Sequence, residues 1–135
     1  MATYNGTFTV VNCTNNTISN VSVVHTCGSF TNSATAGSLA PGQAVATSLN
    51  SQSGSNDLWS ITFTMNGQTY SRSGKQCNYM PDDSPQGVVI SLYLKNFSVL
   101  LPVTSSCLNN YYSTPSTAKD EALAAAETTG GVKED

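Results

Sequence analysis

His25 is the chain's only histidine, and it stands two residues before Cys27 in "VSVVHTC". In an extended strand, residues two apart share a face, so imidazole and thiol project the same way. That pattern could supply two metal ligands, or a thiol and the base that activates it. Neither chemistry is completed elsewhere: no second histidine exists, and the cysteines show no C-x-x-C spacing. A histidine in or beside a sheet interior accounts for the pattern without a site. Asp82-Asp83 in "PDDSP" are adjacent carboxylates between two prolines. Such a run makes a polar turn more readily than a general acid–base pair. There is no G-x-S-x-G, no phosphate-binding glycine loop and no dinucleotide fingerprint. The residues point away from an enzyme, with no catalytic residue, no metal and no cofactor.

The four cysteines, Cys13, Cys27, Cys77 and Cys107, fall at strand ends or in loops. In a reducing cytosol they would be free thiols. The alternative is oxidation, within the chain or between copies. A first hairpin built from "TFTVVNC" and "VSVVHTC" would hold Cys13 near its turn and Cys27 near its open end, which suits that pair poorly. Cys77, expected on an exposed loop, and Cys107 are then the partners for those two, or for cysteines of other molecules. Tyr111-Tyr112 in "CLNNYYS" reads either as a surface aromatic contact or as packing where the C-terminal segment leaves the body.

Charge is sparse and uneven. Charged residues make up 10% of the 135, against roughly 25% in an ordinary soluble protein. Through residue 112 there are only Asp57, Arg72, Lys75, Asp82, Asp83 and Lys95, which cancel. The formal net charge of -3 belongs to the C-terminal segment. Without a basic patch, nucleic acid is not an expected partner. A body with no net charge has little long-range repulsion between copies.

The elements that would position these residues read as β-structure. Residues 7–13, 21–27 and 44–49 are strand-like, residues 29–38 read as a polar loop, and "LAPGQ" as a turn. In "LWSITFTMNGQTY", Trp59, Ile61, Phe63 and Met65 alternate with polar residues, and Asn66-Gly67 supplies a type I′ turn. Phe63 then faces Tyr70 and Ile61 faces Arg72, the arginine near the sheet rim with its stem over apolar surface. In "VVISLYLKNFSVLLPV" the apolar parity switches after Lys95-Asn96. A two-residue hairpin there explains the switch, pairing Leu94 with Phe97, Leu92 with Val99 and Ile90 with Leu101; a bulge in one long strand is the alternative. About seven short strands make an all-β chain, an antiparallel β-sandwich over residues 1–112. Residues 113–135 are a charged, Ala-rich tail in which 117–128 are expected to form one short helix.

"FTVVNCTNNTISNVSVVH", the "LAPGQ" turn and "SNDLWSITFTMNGQTY" leading to "KQCN" together resemble the aegerolysin-like small β-sandwich proteins, over about residues 6–95. That resemblance implies recognition of membrane lipids, sometimes beside a larger pore-forming partner, through a surface of aromatic residues. This chain has a single tryptophan on an apolar row, and no family site residue maps onto it.

No basic, apolar leader opens "MATYNGTFTV" and no sustained apolar span follows, so the expectation is synthesis in the cytosol. Five N-x-S/T sequons are incidental in a chain this rich in Asn, Ser and Thr. The expected function is self-assembly into an ordered homo-oligomer, lattice or filament, possible locks being intermolecular disulfides. The alternative is a module that binds membrane lipid or glycan.

Overall fold

The computed structural model describes residues 2–111. They form nine strands: β1 Thr3–Asn12, β2 Ile18–Cys27, β3 Phe30–Leu39, β4 Ala44–Gln52, β5 Leu58–Met65, β6 Gln68–Gln76, β7 Val88–Leu92, β8 Asn96–Leu100 and β9 Cys107–Asn110. One sheet has the order β4-β1-β7-β8-β9, the other β3-β2-β5-β6. All pairings are antiparallel except β1 with β7. The two sheets pack as a sandwich, so the expected class holds, with nine strands rather than seven. Among the described residues no helix is long and apolar enough to cross a membrane. The helix expected at 117–128 lies outside the described residues, as does Tyr112.

Two strands escaped the sequence reading. Strand β3 occupies most of the expected polar loop, yet only Ala34 and Leu39 are buried from it. Strand β9 turns Cys107 and Asn109 inward. Small or polar residues at core positions erase the apolar alternation that marks a strand.

The expected first hairpin does not form. Strands β1 and β2 belong to opposite sheets, and the connection between them crosses over. Asn12 shapes this crossing, its Nδ2 donating to the carbonyls of Asn16 and Leu39 and its Oδ1 accepting from the Thr14 amide. The β5–β6 hairpin has the expected register, Phe63 opposite Tyr70 and Ile61 opposite Arg72. The β7–β8 hairpin is also present, but Leu92 pairs with Phe97 and Ile90 with Val99. The expected pairing is therefore corrected by two residues. The turn sits at Leu94-Lys95, closed by the Tyr93 amide donating to the Asn96 carbonyl at 2.9 Å. Side-chain direction repeats every two residues, so the slip keeps Leu92, Phe97 and Val99 facing inward as expected, while Leu94, now in the turn, and Val103, beyond β8, are exposed rather than in the core.

Inside, Phe8, Trp59, Phe63, Ile90, Leu92 and Phe97 are fully buried. Trp59 meets Phe8 edge-on at 5.2 Å and donates its indole N–H to the Cys77 carbonyl at 2.8 Å. A bulge in β6 opposite Ser60, with Gly74 at φ 59°, turns both Arg72 and Lys75 inward. Arg72 lies at the rim as expected, on edge strand β6, but its guanidinium is buried: it donates to the Asn110 carbonyl at 3.1 Å and ties β6 to β9. Cys77 and Cys107 form a disulfide with a Cα–Cα distance of 6.2 Å, closing the same side of the sandwich. On the other side β3 and β4 run alongside each other, bridged by Asn32 and Asn50.

Candidate functional site

The residues with chemical potential converge in the interior. His25 comes from the inward row of β2, and Asp57 from the residue just before β5. Nε2 of His25 lies 2.6 Å from Oδ1 of Asp57, and both side chains are wholly buried. Asp57 also accepts the Ser51 hydroxyl at 2.9 Å on Oδ1 and the Tyr79 amide at 2.7 Å on Oδ2. The Asp57 amide donates to Oδ1 of Asn78 at 2.8 Å. A buried charge persists only when it is paired and hydrogen-bonded in this manner.

The network also fixes what surrounds the ring. Oδ1 of Asn32 accepts the Asn50 backbone amide at 3.0 Å, while its Nδ2 donates to Oδ1 of Asn50. The Asn32 oxygen is therefore the atom 3.0 Å from Nδ1 of His25. Each ring nitrogen thus lies within hydrogen-bond distance of an oxygen, that of Asn32 for Nδ1 and that of Asp57 for Nε2. The cluster is a histidine–carboxylate contact held between the sheets.

Ser51 and Cys27 complete the surroundings of the pair. The Ser51 hydroxyl donates to the carboxylate that His25 also binds, so the histidine is not placed to take the serine proton. Cys27 shares the face of His25 as its spacing requires, but its sulfur lies 3.3 Å from the Ser55 carbonyl and 3.4 Å from the Ser51 hydroxyl. All four side chains are buried. Among the described residues no three His, Cys, Asp or Glu side chains group as a metal site.

The other candidates are dispersed. Asp82 and Asp83 lie in one 3-10 turn, Pro81–Asp83, but point apart. Asp82 is exposed, whereas Asp83 is buried and accepts the amides of Met80, Val103 and Thr104 together with the Thr104 hydroxyl. Tyr111 packs against Phe63, Tyr70 and Phe97 and donates its hydroxyl to the Tyr93 carbonyl at 3.0 Å. Cys77, expected on an exposed loop, is fully buried, and its partner is Cys107 rather than Cys13, Cys27 or another molecule. Of the two remaining thiols Cys27 is buried and Cys13 exposed.

No family model and no curated protein matches the chain. What it does has to be read from its own surface.

That surface is unusual in what it lacks. Of the six charged residues in the described body, Asp57, Arg72, Lys75 and Asp83 are buried, which leaves Asp82 and Lys95 as the two exposed charges. Large apolar side chains are exposed at Leu58, Tyr93, Leu94, Leu100, Val103 and Leu108. Sequence reasoning missed Asp57 and Asn32 as the partners of His25, because nothing local to "SNDLW" or "FTNSA" marks them as such. It also missed Leu100 and Leu108 as a surface pair, because β9, which brings Leu108 beside β8, is not marked in the sequence.

Proposed function

We propose that this chain is a non-enzymatic β-sandwich that associates with copies of itself into a homo-oligomer or larger ordered assembly. The carrying observation is the near absence of exposed charge on the described body, two groups where a surface of this kind ordinarily has charges on about a quarter to a third of its residues. Copies of such a surface meet without electrostatic penalty, and many weak contacts add up over an array. Disulfide locking has a narrower place in this reading than four thiols would allow. With Cys77 and Cys107 joined and Cys27 buried, Cys13 can link one copy to one other and no further. Sedimentation velocity and light scattering over a concentration series, with and without reductant, test the proposal. Mass should rise with concentration under both conditions; a monomer throughout refutes it.

A second reading follows the resemblance to lipid-binding sandwiches. Tyr93, Leu94 and Lys95 stand exposed together at the β7–β8 tip. An aromatic ring, an apolar side chain and a cation in one place suit the boundary of a lipid bilayer. A glycan would have a shallow, mostly apolar depression on the four-stranded sheet, about 290 Å³, lined by Val24, Ile61 and Arg72 as well as Ser22, Ser60 and Thr62. Liposome sedimentation beside a glycan array decides this reading, and no binding in either removes it.

A further inference from the structure

We infer that the outer face of the five-stranded sheet is where two copies of this chain meet, sheet against sheet about a two-fold axis. This rests on the self-association proposed above and names its contact. Strand addition at the sheet edges is disfavoured on both sides. Strands β3 and β4 cover each other through Asn32 and Asn50. Strands β6 and β9 are tied by the disulfide and by Arg72, and β6 adds a bulge and two inward cations, devices that stop edge pairing. Association is therefore left to the faces and the loop tips.

The two faces differ. The four-stranded sheet turns hydroxyls outward, among them Ser22, Thr62 and Ser71 in one cross-strand row, with Val24 beside them in a shallow depression and Leu58 exposed at the start of β5. The five-stranded sheet also turns out hydroxyls, at Thr7, Thr9, Ser91 and Ser98, but it adds Val11, Val89 and then the two leucines. Register places Leu100 opposite Val89, and Leu108 opposite Ser98, so the leucines are diagonal neighbours. They are 53% and 52% exposed. None of the five strands contains a charged residue. A face of that kind is compatible with its own image, which a two-fold contact demands. Five strands at about 4.8 Å, with about five residues of paired length, give a face of roughly 400 Å². A stable interface uses about 800 Å² per partner, so this contact is weak and concentration-dependent.

Hydroxyl-radical footprinting of the full chain, run beside sedimentation velocity, tests the inference. Leu100 and Leu108 should be modified in dilute protein and become several-fold protected as the mass rises. Leu100→Arg or Leu108→Arg, at positions too exposed to unsettle the fold, should weaken association at least tenfold, while Ser71→Arg on the other sheet changes it less than twofold. A monomer at every concentration overturns the association and its contact together. Association that leaves both leucines fully modified overturns the contact alone. Protection already complete in dilute protein would place the chain's own residues on the face, and protection arising only with phosphatidylcholine vesicles would place a bilayer there; either result overturns the inference.

Discussion

Nε2 of His25 lies 2.6 Å from Oδ1 of Asp57, and neither side chain touches solvent. Removing one member of such a pair strands the other, so Asp57→Asn should cost about 3–5 kcal/mol of folding stability. Urea unfolding measures this. A loss below about 1 kcal/mol would show that the contact contributes little to the fold.

The disulfide joins cysteines 30 residues apart. Loop-closure entropy for that span corresponds to about 3.6 kcal/mol, so reduction, or replacement of both cysteines by alanine, should lower stability by about that much. Alkylation read by mass spectrometry gives an independent check. Native protein without reductant should take one label, at Cys13; unfolding should add Cys27; reduction should add the last two.

Asn109 on β9 is wholly buried opposite Phe97, and among the described residues neither amide atom has a hydrogen-bond partner. Leucine fills similar space without polar atoms to desolvate. Asn109→Leu should therefore raise stability by about 1–2 kcal/mol in urea unfolding. A destabilised variant would show that the amide is satisfied.

Burial pushes the Tyr111 phenol above its ordinary value, outweighing the opposing hydrogen bond to the Tyr93 carbonyl, with Cys13 and Tyr70 adding to the rise. Burial also raises Tyr79. A raised acid holds its proton more tightly folded than unfolded. Its contribution is complete below the unfolded value near 10 and is lost progressively as pH rises past it. Alkaline unfolding should begin above about pH 10, and Tyr111→Phe should blunt its steepness. A stability flat through that range would contradict the burial of both rings.

The formal charge of -3 belongs to residues 113–135, while the body cancels to zero. Repulsion between copies is then carried by those residues and is screened by salt. Raising ionic strength from about 0.01 M to about 0.15 M shortens the Debye length from about 30 Å to about 8 Å. Association measured by light scattering should strengthen accordingly. Weakening with salt would mean that attractive charge pairs hold the copies together.

The amino-acid order alone determined the all-β class, the β5–β6 register and the inward rows of Trp59 and Leu92, because side-chain period and turn chemistry are local properties. It also determined how little charge the body carries. Whatever depended on residues distant in the chain had to wait for the fold. Asp57 meets His25 across 32 positions, Cys77 finds Cys107, and β1 parts from β2 into the opposite sheet. Strands β3 and β9 were hidden for a related reason: apart from Leu39 at the end of β3, their buried residues are alanine, cysteine and asparagine, whose burial is imposed by the neighbouring strands rather than by their own hydrophobicity. Packing likewise decided that four of the six charges turn inward, and that decision is what makes the surface nearly neutral.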